Sequence, residues 1–299
     1  MKSTLLTAAA SLAGAAALTA GEYIAPAPVQ APVLEPVAEK GVSGTLSLDA
    51  YSHFISYGLD VWGDESSLGE WGFNPSLELS WDLGAGFSLS IGTWWDVNSK
   101  NTQINVSGSE EAFLDGDIDE LTVTQGDPIG GNIQEIDVWG TIGWSNDLVS
   151  ASVTYQEWYF GSDAERIVDY AVGFDTFLSP SLLLHQRIDK GAASGDEGLI
   201  LVGGIEYGFE AGGFAFAVPV NVGFMLTDDY HFEGADSGYG YTSVGVQTSI
   251  ALPFLNSIGG EWAFNGGVTY YTTNSDVVNN GDNQQNDFLT ANAGISCSF

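Results

Sequence analysis

The chain has 299 residues, of which 44% are hydrophobic and 12% aromatic, and its 39 acidic side chains stand against 6 basic ones. The net charge of -33 repels polyanions and excludes nucleic acid as a partner. Cys297 is the single cysteine, so an intramolecular disulfide is excluded as well. The histidines His53, His185 and His231 lie in separate segments, without a metal-ligand pair or a nucleophile motif. We therefore predict neither an enzyme nor an organic cofactor.

The N-terminus has the layout of an export signal. Lys2 precedes an alanine-rich apolar run from Leu5 to Ala20, which is shorter than the roughly 20 residues of a transmembrane helix. We predict a cleaved signal peptide over residues 1–20. Residues 21–43 are rich in Pro, Ala, Val and Glu, which predicts an extended periplasmic leader. No later stretch approaches about 18 consecutive apolar residues, so membrane insertion must use strands.

Apolar and polar residues alternate with a period of two from Gly44 to the C-terminus, which places one set of side chains on each face of a strand. Leu77, Leu79 and Trp81, for example, alternate with Glu78 and Ser80. A soluble β-sandwich alternates in the same way, so alternation alone does not separate a lipid-facing from a core-facing apolar side. The alternating segments are residues 46–54, 76–83, 87–96, 136–144, 149–155, 168–174, 182–188, 199–207, 214–224, 244–252, 262–270 and 289–299.

The connections between segments favour a barrel. Links after the even-numbered segments are mostly tight, as at residues 84–86, whereas links after the odd-numbered segments are mostly longer and acidic. Short turns at one end and long loops at the other are typical of outer-membrane barrels with both termini in the periplasm. Aromatic residues gather near both segment ends, such as Trp144 and Trp95, as in two interfacial girdles. We predict an all-β, transmembrane, antiparallel up-and-down β-barrel of about twelve strands over residues 44–299, located in the bacterial outer membrane.

The last segment ends in Phe299 and carries apolar residues at every second position before it, including Ile295 and Cys297. It resembles the last-strand signal of bacterial outer-membrane proteins, although Cys297 stands where an aromatic residue is more usual. The resemblance implies that Phe299, Cys297 and Ile295 form an assembly signal and that the barrel-assembly machinery is a partner. It also implies that outer-membrane lipid and lipopolysaccharide surround the barrel.

Residues 51–58 form a second motif, with the sequence Tyr-Ser-His-Phe-Ile-Ser-Tyr-Gly. This motif and the order of the segments are similar to a group of uncharacterised bacterial outer-membrane barrels of related length. An Arg-Gly step expected after the opening aromatic residue is absent here. Because that group has no established activity, the resemblance implies a fold and no function.

The polar face of the segments should line the lumen, and it is mostly acidic. Carboxylates outnumber cationic groups there, so the first hypothesis is a passive, porin-like channel that prefers cations. Small lumenal residues such as Gly92, Gly204 and Gly267 favour open space, and Arg187 is expected to face Asp169 and Asp175 on the preceding segment. The predicted lumenal residues are Glu78, Asp82, Asp96, Glu135, Asp137, Asp169, Asp175, His185, Arg187 and Glu206.

The longest predicted loop, residues 99–132, spaces Asp115, Asp117 and Asp119 two apart. Carboxylates at this spacing suit Ca²⁺ or Mg²⁺, but the glycine and terminal glutamate of an EF-hand loop are missing. An unstructured acidic loop and a loop folded into the pore are the alternatives. The competing function is a non-conducting structural or surface-binding barrel whose acidic extracellular loops bind divalent cations. The oligomeric state stays open.

Overall fold

A computed structural model describes residues 41–62, 71–99, 132–160, 163–278 and 286–299. The predicted signal peptide, most of the predicted leader, and the ion site predicted at Asp115, Asp117 and Asp119 lie outside these residues. Within them, no helix is long and apolar enough to cross a membrane. The strands are β1 (Val42–Tyr51), β2 (Ile55–Ser56), β3 (Leu59–Asp60), β4 (Gly72–Gly84), β5 (Phe87–Val97), β6 (Ile133–Ser145), β7 (Val149–Phe160), β8 (Asp163–Phe174), β9 (Ser181–Asp189), β10 (Gly198–Ala211), β11 (Phe214–Met225), β12 (Gly238–Ala251), β13 (Glu261–Thr273) and β14 (Asp287–Ser298), and a 3-10 helix spans Pro253–Ile258.

The long strands close into a single twelve-stranded barrel in which every strand is antiparallel to both neighbours. Neighbours in the barrel follow one another in the chain, except that β2 and β3 form a separate two-stranded ribbon. The barrel closes through β1, which pairs with β4 on one side and with β14 on the other. The prediction of a twelve-stranded up-and-down barrel is therefore confirmed.

Two connections differ from the sequence-based prediction. β1 ends at Tyr51 and does not continue to Phe54, because the chain leaves the barrel wall at that point. β7 and β8 are joined by residues 161–162 alone, so the expected sorting into short and long links fails at this connection. Below, the terminal end is the end of the barrel that carries Val42 and Ser298, and the far end is the opposite one.

The turn between β4 and β5, at the terminal end, depends on glycine. Gly84, Ala85 and Gly86 have φ values of 82°, 54° and 81°, in the left-handed region that glycine adopts without steric cost. A Cβ atom at Gly86 would also overlap the backbone carbonyl of Ser145 on the next hairpin. The turn is therefore held tight by close backbone approach as well as by conformation.

The outer face of the barrel is apolar along its whole circumference. Monomeric soluble proteins rarely expose a continuous apolar surface of this extent, whereas a lipid-facing barrel wall requires one. Aromatic side chains at the strand ends border this surface on both sides, as the girdle prediction expects. Exposed outward-facing residues include Ile91, Val138, Ile142, Val153, Val246 and Val268 in the band, and Phe214, Phe299, Trp95, Tyr159, Phe224 and Tyr270 near the ends.

The core lies inside the barrel, in its far half. It consists of two clusters of buried apolar side chains, a main cluster and a smaller one formed by Tyr51, Phe54, Trp94 and Trp139. Inward positions of the terminal half instead carry small polar residues such as Ser43 and its cross-strand neighbour Ser80. The two halves of the lumen therefore differ in how they are filled. The main cluster comprises Tyr57, Trp158, Ile167, Leu183, Ile200, Val202, Met225, Tyr230, Tyr241, Val277 and Val278.

Candidate functional site

Residues 52–62, which follow β1, fold into the far half of the lumen and are here called the inserted segment. Ser52, His53, Phe54, Ile55 and Tyr57 are each at most 3% exposed. The segment forms a small hairpin in which β2 pairs with β3 and the Val61 N–H donates to the Phe54 carbonyl at 2.8 Å. The chain therefore supplies its own filling for the barrel from the first loop.

Both ends of the inserted segment are attached to the barrel wall. The Ser52 N–H donates to the Ala291 carbonyl at 2.9 Å, and the Ser52 hydroxyl accepts from the Ala291 N–H at 2.8 Å. At the other end, Trp62 Nε1 donates to Asp96 Oδ2 at 2.9 Å. Between them Gly58, with a φ of 88°, lies so close to Tyr241 that a Cβ atom would overlap its side chain. These contacts place the hairpin on a defined part of the wall.

His185 on β9 is fully buried at the centre of a hydrogen-bond network. Its Nδ1 lies 2.8 Å from Asp169 Oδ1 and 2.7 Å from the Tyr57 hydroxyl, and its Nε2 lies 2.8 Å from the Tyr230 hydroxyl. Gln156 donates to the second oxygen of Asp169. In the tautomer protonated on Nδ1, the Nδ1–H donates to Asp169 and the Tyr57 hydroxyl oxygen together, and Nε2 accepts from the Tyr230 hydroxyl. The wall, the inserted segment and the loop after β11 thus meet at one histidine.

Four buried carboxylates lie together beside this network, on β5, β6 and β8. Asp96 is directly opposite Glu135 in the sheet, Asp137 follows two residues later on the same face, and electrostatic interaction joins Asp137 to Asp96, Glu135 and Glu165. The Asp96 carboxylate accepts hydrogen bonds from Tyr51, Trp62 and Asn98. The predicted lumenal residues Asp96, Glu135 and Asp137 are therefore brought together in the far half of the barrel.

Arg187 is the cationic partner of this group. Its Nε donates to Glu165 Oε2 at 2.7 Å, one terminal nitrogen donates to the Tyr230 carbonyl at 2.7 Å, and the guanidinium lies 4.0 Å from the centre of the Tyr230 ring. The expected pairing of Arg187 with Asp169 or Asp175 is wrong. The register of β8 and β9 places Arg187 opposite Ile167 and gives Asp169 to His185.

Asp137 is the least satisfied member of the group. Its side chain is 0% exposed, and neither carboxyl oxygen receives a hydrogen bond from an N–H or hydroxyl donor among the described residues, so that its nearest polar contact is the Glu135 carboxyl, with which it can share a proton. Its cross-strand neighbours are Trp94 and Trp158, whose rings offer it no compensating charge. A buried, unpaired carboxylate costs several kcal/mol, a cost that a shared proton or a small cation reduces.

The described residues contain no group of three His, Cys, Asp or Glu side chains placed to hold a metal ion. The remaining predicted lumenal residues lie apart from the buried group. Glu78 lines the wall and accepts from Trp139 Nε1 at 2.9 Å, and Glu206 is half-buried on β10. Asp175 lies beyond the end of β8, exposed in a turn at the terminal end, and Asp82 is exposed beside the 84–86 turn.

The lumenal glycines do not leave open space, contrary to the sequence-based expectation. A Cβ atom at Gly92 would overlap the Trp139 ring, and one at Gly267 would overlap the Gln247 side chain. Gly204 is similarly close to the side chains of Asn221 and Ser181. These glycines make room for larger inward side chains on neighbouring strands, so they mark packed and not empty parts of the lumen.

Sequence reasoning missed Glu165, Trp158, Tyr57 and Tyr230. Glu165 and Trp158 lie on strands that were predicted too short, and extending the alternation by a few residues would have placed both on the inner face. Tyr57 and Tyr230 lie in connections that fold inward, for which a period of two carries no signal. Their roles depend on tertiary contacts with His185 and Arg187.

The residues of the predicted assembly signal lie at the seam of the barrel. Phe299 exchanges backbone hydrogen bonds with Gly44 at 2.7 and 2.9 Å, and its ring covers the position a Gly44 side chain would take. Cys297 and Ile295 pair with Leu46 and Leu48 of β1. Cys297 is buried because the 259–260 turn covers it.

A closed up-and-down barrel with an apolar outer wall, aromatic strand ends and its charged side chains gathered mainly inside is the outer-membrane type of β-barrel. No family model matches the chain, and no curated protein matches its sequence. Among solved structures, the chain is similar to the KdgM porin, with 11% identity and a TM-score of 0.42 over 85% of this chain and 99% of that one.

Two further solved structures are similar over most of both chains. The NanC porin has 11% identity and a TM-score of 0.41 over 86% of this chain and 99% of that chain. The translocator domain of the autotransporter NalP from Neisseria meningitidis has 9% identity and a TM-score of 0.38 over 86% and 87%, respectively.

Proposed function

We propose that the chain is a porin-like barrel of the bacterial outer membrane that passes small cations through a constricted lumen. The apolar outer wall and the aromatic residues at both strand ends support a lipid environment. Outer-membrane barrels have both chain termini on the periplasmic side, so the terminal end would face the periplasm and the far end the cell exterior. The inserted segment then fills the extracellular half of the lumen.

The cation preference rests on the excess of acidic groups over basic groups inside the barrel. The carboxyl groups of Asp96, Glu135, Asp137 and Glu165 stand against a single arginine, Arg187, which is already paired with Glu165. Rings of carboxylates in a pore attract cations and repel anions, more strongly where water is scarce. The observation that carries the proposal is the buried Asp137 carboxyl, which has the Glu135 carboxyl beside it and receives no hydrogen bond from an N–H or hydroxyl donor among the described residues.

The constriction follows from the core inside the barrel. A twelve-stranded barrel is intermediate between filled eight-stranded barrels and open sixteen-stranded porins. Here the inserted segment and the side chains around it occupy the far half, while the terminal half carries small polar side chains. We therefore expect a conductance well below that of an open porin, limited to small ions.

A second candidate function is a non-conducting structural or surface-binding barrel. It is favoured by the same core, in which Ile167, Ile200 and Tyr241 are completely buried inside the barrel. In this case the acidic loops would carry the function by binding divalent cations at the cell surface. The two candidates differ in whether any current flows.

Reversal potentials in planar bilayers across a KCl gradient test the proposed selectivity. The parent should select cations, and Asp137→Asn combined with Glu135→Gln should weaken that selectivity because it removes lumenal charge. Asp175→Asn is the matched control, since Asp175 is exposed in a turn and its loss should change nothing. An anion-selective parent, or an unchanged potential in the double variant, would contradict the proposal. Absence of current from all three proteins would favour the second candidate.

A further inference from the structure

The inserted segment is attached to the barrel wall differently from every barrel strand. Its two short strands form a separate ribbon, so no backbone ladder joins them to the wall. The wall itself closes without the segment, because β1 pairs with β4 and β14 up to Tyr51, before the segment begins. Apart from the Ser52–Ala291 hydrogen bonds where the segment begins, removing the segment from the lumen therefore breaks no backbone pairing of the barrel.

Beyond Ser52, side-chain contacts with the surrounding lumen hold the hairpin in place, and Tyr57 makes one of them in its middle. The Tyr57 hydroxyl lies 2.7 Å from His185 Nδ1, and the two rings lie 4.4 Å apart. His185 is itself fixed by Asp169 and Tyr230, so the wall presents a rigid, prearranged partner to Tyr57. Tyr57 therefore joins the hairpin, which has no strand ladder to the wall, to a residue on barrel strand β9.

The segment also covers part of the acidic group. Trp62 donates to Asp96 Oδ2, and Phe54 packs on Trp94, whose cross-strand neighbour is Asp137. Withdrawal of the segment would remove the Trp62 donor from Asp96 and uncover the wall beside Asp137. Opening the lumen and exposing its negative charge would therefore occur in one movement.

We propose that the inserted segment is an internal gate, latched shut by the contact between Tyr57 and His185, that regulates cation passage. This inference rests on the proposed channel function, because a gate requires a path to close. The closed state is the one described here. In the open state the hairpin leaves the lumen, and the twelve-stranded wall stays intact.

Cysteine labelling tests the movement without relying on current. In a Cys297→Ser background, Ile55→Cys places a thiol on a residue that is 3% exposed in the closed state. In this Cys297→Ser, Ile55→Cys protein, which is the parent for the labelling experiments, a membrane-impermeant maleimide should label the cysteine slowly. Adding Tyr57→Phe, which removes only the hydroxyl, should speed labelling by about three- to tenfold, the effect of losing one hydrogen bond. Tyr57→Ala should speed it further.

Tyr155→Phe is the matched control for the latch. Tyr155 faces outward on β7, where its hydroxyl donates to Glu157, so its removal should leave the labelling rate unchanged. Heat-modifiable mobility in SDS gel electrophoresis verifies that each variant retains a folded barrel. Fast labelling of the parent, or equal acceleration by Tyr155→Phe and Tyr57→Phe, would overturn the latch.

Single-channel recording of the same proteins separates the gate from the channel. The expected result is a higher open fraction in Tyr57→Phe and a higher one still in Tyr57→Ala, with cation selectivity retained. If every protein conducts with the same open fraction, the channel stands and the gate is refuted. If labelling accelerates but no variant conducts, the proposed channel fails while release of the segment stands.

Discussion

Leu79→Arg tests whether the outer wall of the barrel faces lipid. Leu79 lies one residue from the centre of β4, between Gly44 and Ile91 of the neighbouring strands, on the outward face. An arginine at the bilayer midplane of such a wall costs about 2 to 4 kcal/mol. Ser80→Arg, one residue later on the inward face, should cost less than about 1 kcal/mol, because the arginine enters the polar half of the lumen, where the Glu78 carboxyl on the same face can pair with it.

Urea titration of the two variants refolded into lipid vesicles, followed by tryptophan fluorescence, measures this difference in the free energy of unfolding. The two substitutions introduce the same charge at adjacent positions, so only the direction of the side chain separates them. Equal destabilisation by Leu79→Arg and Ser80→Arg would refute a lipid-facing wall in this register. A larger effect of Ser80→Arg would mean that the two faces are exchanged.

Three further predictions concern the lumen and the seam. Arg187→Ala should destabilise the barrel by about 3 to 5 kcal/mol in urea unfolding, because it leaves Glu165 buried without its cation, whereas the exposed Lys190→Ala should leave the free energy of unfolding nearly unchanged. Burial, assisted by Arg187, lowers the pKa of His231 from 6.5 to about 3. The folded state therefore binds a proton at His231 less readily than the unfolded state does. The free energy of unfolding should be at its full value above pH 6.5 and should fall as the pH drops towards 3, by at most about 1.4 kcal/mol per pH unit. His231→Gln should remove this part of the pH dependence. Deleting Phe299 should lower the amount of protein in the outer membrane severalfold, because its contacts with Gly44 close the seam; an unchanged amount in membrane fractions would contradict the assembly role.

The barrel wall was predictable because it depends on local alternation. Each of the twelve alternating segments overlaps one barrel strand, since one face must be apolar for lipid and the other polar for the lumen. Strand lengths were less predictable. β7 and β8 extend beyond the predicted segments, and in these extensions the apolar residues Trp158 and Ile167 face a packed lumen and so break the simple polar-inside pattern.

The inserted segment could not be predicted from the alternation. Residues 52–54 continue the pattern of β1, yet the chain turns into the lumen there because the space between Tyr241, His185 and Trp94 accepts its side chains. That space is created by residues far apart in the chain. The prediction that lumenal glycines leave open space failed for the same reason. A glycine leaves a gap only if no side chain from a neighbouring strand fills it, and the Trp139 ring fills the space at Gly92.

The predicted lumenal residues divide into those in the packed far half of the barrel and those nearer the terminal end. Asp96, Glu135, Asp137, Asp169, His185 and Arg187 lie in the packed half, where each has few alternative partners and the register decides the pairing. Because a shift of one pairing position exchanges partners, Arg187 could be placed in the lumen from sequence while its partner Glu165 could not.

The central claim is that a cation path crosses this barrel despite its packed far half. Current through the unmodified, refolded protein in a planar bilayer separating unequal KCl concentrations tests it most directly. Small, discrete current steps with a reversal potential on the cation side are the expected result. Steps that reverse on the anion side, or a bilayer that stays silent although the barrel is inserted, would contradict it.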